Sequence, residues 1–119
     1  IVWTIGVLVP FINVRIDTQL DSDRLIVSAA IYSSEVYFDD IEEVQLLNEL
    51  PDDDFVRING GTTDEYLIGH FKSSTYGKCE LYVYADSYPI IMIKTRDEVI
   101  FMNNKDSDDT YSIFESIHS

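Results

Sequence analysis

Apolar and polar side chains alternate with a period of two through most of this chain, and turn-forming residues interrupt the alternation at short intervals. Alternation puts one set of side chains on each side of an extended backbone, so it is the feature that most narrows the possible folds. Arg24–Ala29, Glu35–Phe38, Glu43–Leu46, Leu81–Ala85 and Glu98–Phe101 carry it most clearly, with the β-branched and aromatic residues that suit a pleated surface. Strands are expected near 12–18, 24–31, 34–38, 41–48, 65–75, 78–86, 89–95 and 98–103. Short connections between them favour antiparallel hairpins.

Two segments break the pattern. Thr110, Ile113, Phe114 and Ile117 share one face of a helix, too short to persist unless it docks on the sheet. Asn48–Asp64, with Pro51, an aspartate run and Gly60-Gly61, is expected as a long acidic loop and as the best loop for a binding site, Asn59 and Gly60 included. The predicted fold is therefore mainly β with one C-terminal helix, a small antiparallel barrel or sandwich closed at one end. It is assigned to residues 12–119, preceded by an apolar segment at 1–11. That segment is shorter than the roughly 18–20 residues that span a bilayer and lacks a basic leader region. It is expected as a first strand, an arm on the domain, or the remnant of a longer membrane segment. The chain would be membrane-associated in the last case and cytoplasmic otherwise.

The chain has 119 residues, enough for one self-supporting core, and a formal net charge of −14 from 22 acidic and 8 basic residues. Such a surface repels phosphate backbones and anionic headgroups, which argues against nucleic acid and acidic lipid as partners. Cys79 is the single cysteine, so no internal disulfide can form.

Candidate chemistry is sparse. A three-residue turn at Thr75-Tyr76-Gly77, with Gly77 left-handed, pairs positions whose numbers sum to 152, placing Phe71 opposite Leu81 and Gly69 opposite Val83. Leu67, Phe71, Leu81, Val83 and Cys79 then face one side and His70 the other, which separates the only thiol from the imidazole and argues against a cysteine–histidine dyad. Ile68, His70, Tyr82 and Tyr84 form an apolar and aromatic cluster on the outward face, expected as a docking surface unless the helix or the N-terminal segment covers it. The acidic runs carry no histidine partner or spacing that marks a general acid and base, and no phosphate-binding glycine loop, nucleophile elbow or zinc spacing occurs.

Asn104, Asp106, Asp108, Thr110, Ser112 and Glu115 match a calcium loop at positions 1, 3, 5, 7, 9 and 12. The same letters suit a helix start, where Asp and Ser accept hydrogen bonds from orphan N–H groups and negative charge complements the dipole. Asp109 stands where the calcium loop needs glycine, and a strand precedes it where a helix belongs. The capped helix is therefore the preferred reading and calcium the alternative, with no cofactor implied.

Asn59-Gly60, Gly69-His70-Phe71, Gly77, Leu81-Tyr82-Val83, Ile91–Thr95 and Asn103…Asp106…Thr110-Tyr111…Phe114 resemble, in order and spacing, the small bacterial pleckstrin-homology-like (PH-like) domains. The resemblance implies a partly open antiparallel barrel capped by a C-terminal helix. Such domains often follow membrane-spanning segments, and some related ones assemble as rings. Lipid-binding members use basic residues around the first hairpin. Here that turn reads Gln19-Leu20-Asp21-Ser22-Asp23, flanked only by Arg15 and Arg24. The expected function is a non-enzymatic interaction module that binds a protein partner or itself through a strand edge or the Tyr82/Tyr84 face. A small-ligand or calcium binder using the 48–64 loop and the acidic helix start is the alternative.

Overall fold

The computed structural model describes residues 15–63 and 65–118, so the apolar segment at 1–11 lies outside the described residues. The strands are β1 (Asp17–Leu20), β2 (Arg24–Ala29), β3 (Tyr32–Tyr37), β4 (Ile41–Leu47), β5 (Val56–Thr62), β6 (Tyr66–Ser73), β7 (Gly77–Tyr84), β8 (Ile90–Thr95) and β9 (Val99–Met102), followed by α1 (Ser107–His118). They form a three-stranded sheet, β1-β2-β3, and a six-stranded sheet, β4-β8-β9-β7-β6-β5. The fold is mainly β with one C-terminal helix, as the alternation requires, and the two sheets do not close into a barrel.

The small sheet ends in a single 3-10 turn, Phe38–Asp40, which carries the chain into the large sheet. Leu25, Val27, Ala29, Tyr32 and Val36 point down from it onto Ile68, Tyr82, Ile91, Ile93, Ile100 and Met102 of the large sheet, with Ile113, Phe114 and Ile117 of α1 joining the same cluster. The opposite face of the large sheet carries Phe71, Cys79, Leu81, Val83, Ile90, Met92, Val99 and Phe101, against which Leu50, Phe55 and Tyr76 pack from connecting segments. Phe55 and Tyr76 both meet the Phe101 ring edge-on, with centroids 5.7 and 5.5 Å away. Because both faces are covered, β8 and β9 are nearly continuous apolar runs without alternation.

Three expectations are corrected. The segment 48–64 is not one loop, because β5 occupies its second half as an edge strand on β6. Its polar, glycine-rich sequence hides it, and the glycines are what the pairing needs. Gly60 sits opposite Gly69, both at positive φ, and a Cβ on either would lie 2.1 or 2.2 Å from a backbone oxygen across the ladder. The β6–β7 register sums to 150, pairing Phe71 with Cys79 and Gly69 with Leu81. The turn residues are Ser74–Tyr76, and Gly77, at φ +72°, opens β7 opposite Ser73. A two-residue slip preserves which face each side chain takes, so the facial assignment is unaffected. Finally, β9 inserts between β8 and β7 and runs parallel to β7, an exception to the all-hairpin expectation.

The N…D…T spacing is structural. Buried Asn103 accepts the Tyr84 N–H at 2.8 Å and donates to the carbonyls of Tyr84 and Ser87, while buried Thr110 accepts the Asn104 N–H at 2.8 Å. Asp106 accepts the Asp108 N–H at 2.9 Å at the start of α1. Together they fasten the helix to the ends of β7 and β9.

Candidate functional site

The face of the large sheet that lies under the small sheet contains a polar cluster among its apolar side chains. Glu80 on β7 is only 7% exposed and lies opposite His70 on β6. One of its oxygens meets His70 Nδ1 at 3.1 Å, and the other accepts the hydroxyl of Ser34, which reaches across from β3 of the small sheet. Since Ser34 gives its proton to Glu80, the Tyr82 hydroxyl, 2.7 Å away, donates to Ser34. Burial pushes the Tyr82 phenol up to about 12. Glu98, at the entrance to β9, completes the cluster. Burial pushes its carboxyl up to about 7, and the neighbouring Glu80 carboxylate acts in the same direction, while Lys78 opposes.

This order of groups is wrong for nucleophilic catalysis. Ser34 faces a carboxylate with the imidazole on the far oxygen, so no base sits on its hydroxyl. Cys79 belongs to the other face, where burial pushes its thiol up, away from thiolate character. What the cluster does is join the two sheets by hydrogen bonds.

Above it lies the β2–β3 turn. Tyr32 packs edge-on against His70, with centroids 5.6 Å apart, and its hydroxyl donates to Asn59 Oδ1 of β5 at 2.7 Å. The two turn residues are Ala30, at φ +53°, and Ile31, which is 78% exposed. A two-residue hairpin with positive φ at its first position is cheapest with glycine there, so an alanine at that position followed by a solvent-facing isoleucine sacrifices stability. On β5 the register gains one residue between Arg57 and Asn59, which makes Ile58 the bulge; it is 63% exposed, and Val56 60%. Ile31 and Ile58 are each next in sequence to a member of the Tyr32–Asn59 bond, so both stand at the same end of the molecule. Among the described residues β5 has a strand on one side only.

At the start of α1 lies a cavity of about 690 Å³ lined by Glu65, Asp86, Asp106 and Asp109 with Arg15 and Lys105. Asp106 is already engaged as the helix cap. Asp108 and Glu115, the other calcium candidates, lie in α1 itself, about 10 Å apart along its axis at roughly 1.5 Å per residue. Among the described residues no three His, Cys, Asp or Glu side chains converge as metal ligands.

The cluster expected on the outward face is divided by the structure. Ile68 and Tyr82 are buried beneath the small sheet, which corrects their expected availability for docking. Tyr84 is half-buried, and its hydroxyl accepts the Ile16 N–H at 2.9 Å. His70 and Asn59 are brought together through Tyr32 at the rim, and Gly60 is held in the β5–β6 pairing. Within the 48–64 segment Asp54 binds the Ser74 hydroxyl and N–H at 2.6 and 2.8 Å, so that carboxylate is spent on the β6–β7 turn. Sequence reasoning missed Ser34, Glu80, Glu98, Ile31 and Ile58. The signal for Glu80 was present, as a carboxylate between Cys79 and Leu81 on the Tyr82 side of the strand.

Among the described residues, no helix is long and apolar enough to cross a membrane. No curated protein and no solved structure matches the chain. The family model described as Bacterial PH domain matches residues 16–111, a span that runs from the first core residue through the small sheet and the large sheet into α1. Domains of this type are generally non-catalytic binding modules that engage proteins or lipids. On that match, and with the fold to support it, the chain belongs to the bacterial PH domain family.

Proposed function

We propose that the chain is a non-enzymatic docking module that takes an extended segment of a protein partner at the end formed by Ile31, Val56 and Ile58. The observation that carries this reading is the Ala30-Ile31 turn. A chain selected for stability alone has no use for a strained alanine and an isoleucine 78% exposed at a hairpin tip. Ile58, turned outward by the bulge, extends the apolar surface, and the free side of β5 offers backbone groups to a strand laid against it. The bulge interrupts the outer row of those groups, so side chains supply more of the recognition than strand pairing does.

Charge favours a basic partner segment over a second copy, since two chains of −14 repel one another at the encounter distance. Membrane tethering through the apolar segment at 1–11 is part of the same reading and rests on composition only. The docking reading is tested by selecting binders from a random peptide library. Selected peptides are expected to be extended, mixing apolar and basic residues, and to lose at least tenfold in affinity against Ile31→Asp or Ile58→Asp, about 1.4 kcal/mol. Both positions are exposed, so stability should change by no more than about 0.5 kcal/mol. Binders indifferent to both substitutions, or concentration-dependent dimerisation through this end without peptide binding, would overturn the choice of occupant.

A further inference from the structure

Three features stand outside the docking surface: the acidic cavity at the helix start, the tie between Asp54 and the β6–β7 turn, and the buried cluster between the sheets. Among these, the cluster links a titratable group to the surface just described. We infer that Ser34, Glu80, His70 and Glu98 form a proton-operated latch that sets how firmly the β2–β3 hairpin, and with it Ile31, is held on the large sheet. The latch regulates the proposed docking surface, and in its significance for binding it rests on that reading.

The geometry is a chain of contacts running from one sheet to the other. Ser34 is the point where β3 grips β7, through Glu80 and Tyr82 together. Tyr32, two residues earlier on the same face of β3, lies on His70 and bonds Asn59 of β5, so movement of β3 is transmitted to both sides of the docking surface. Among the described residues no Lys or Arg pairs with Glu80; its partners are Ser34 and His70, and Glu98 approaches from the entrance to β9, one residue before Val99, which lies opposite Cys79.

Protons act in one direction at both ends. A protonated Glu98 sets no second charge beside Glu80, and a protonated His70 forms an ion pair with it. When Glu98 ionises, two carboxylates face each other in a partly buried site, with Lys78 the nearest compensating charge and Asp97 adding to the repulsion. The shallow cleft beside Glu98 adds Glu35, Tyr37 and Asp40 from the β3 side and Arg96 from the β8–β9 turn. Arg24 is already paired with Glu35 at 3.1 Å, and Arg96 and Lys78 are the other cations against Asp40, Asp97 and Glu80, so ionisation of Glu98 weakens the grip on Ser34.

The test is a pH titration by nuclear magnetic resonance from about pH 5 to about 9, observing side-chain carboxyl carbons, the His70 ring and backbone amides. The Glu98 carboxyl is expected to titrate at about 7. The amides of Ile31 and Ser34 should follow the same midpoint, and exchange protection along β3, corrected for intrinsic rates, should fall about tenfold across it. Glu98→Gln should abolish the shared midpoint, and the exposed control Glu49→Gln should leave it in place. A Glu98 midpoint in the ordinary carboxylate range overturns the inference, as do Ile31 and Ser34 amides that ignore it. Should Glu98→Gln fail to fold, the wild-type titration alone still decides. No partner enters this experiment, so failure of the docking reading and failure of the latch are seen separately.

Discussion

The two faces of the six-stranded sheet are both buried, yet they are built on different principles. One face, with Phe71, Cys79, Leu81, Met92 and Phe101, is apolar throughout and is closed by Leu50, Phe55 and Tyr76. The other meets the small sheet and α1 and carries Glu80, His70 and Tyr82 amid its aliphatic residues. Packing energy on the first face depends on volume and shape and is indifferent to pH over the range in which proteins work. On the second it depends on hydrogen bonds whose members can gain or lose protons. The lesson is that one sheet can serve as a fixed wall on one side and as an adjustable joint on the other. The exposed turn that we propose as the docking element belongs to the adjustable side.

Breaking the apolar face should have the largest effect. Phe101→Ala removes a fully buried ring on which two others stack, and it is expected to cost about 3–5 kcal/mol in urea unfolding, equally at acid and alkaline pH. Ser34→Ala should cost less, about 1–3 kcal/mol, because it leaves a buried carboxylate short of one donor and the Tyr82 hydroxyl short of its acceptor. Unlike the first, this cost should vary with pH.

The pH dependence has a definite sign. The folded chain holds the Glu98 proton up to about 7 while the unfolded chain releases it near the ordinary glutamate value of 4.5. The folded state therefore binds more protons in that window, and the contribution of Glu98 is fully present below it and is lost as pH rises through about 7. Asp54 behaves oppositely. Hydrogen bonds from the Ser74 hydroxyl and N–H lower its carboxyl, so its contribution is present at neutral pH and is lost on acidification. Glu98→Gln should thus flatten the fall in melting temperature between about pH 5 and about 8, whereas Asp54→Asn should act only at more acid pH.

Much of this architecture was legible from residue order because alternation is a local signal. The strands expected at 24–31 and 34–38 exist as Arg24–Ala29 and Tyr32–Tyr37, with the turn two residues earlier than expected, and the helix start at Asp106 was marked by its capping chemistry. β5 was not, since an edge strand with one solvent-facing side need not alternate, and Gly60 and Gly61 resemble a turn until Gly69 is known to lie opposite. Parallel pairing of β9 with β7 was also hidden, because strand order is set by long-range packing and β9 is apolar on each face. The same limit applies to the site. Facial assignment correctly put His70 and Tyr82 together and Cys79 opposite, but which surface would cover Ile68 and Tyr82 depended on the small sheet folding over them. Ser34 and Glu80 are 46 residues apart, and nothing local in either segment announces the other.

The claim that the two sheets are joined through Ser34 and Glu80 is tested most directly by a double-mutant cycle. Unfolding free energies of the wild type, Ser34→Ala, Glu80→Gln and the double variant should reveal a coupling of about 1–2 kcal/mol below the Glu98 midpoint, shrinking above it. Additive single effects at every pH would mean that these side chains merely sit side by side, and the adjustable joint would have to be abandoned.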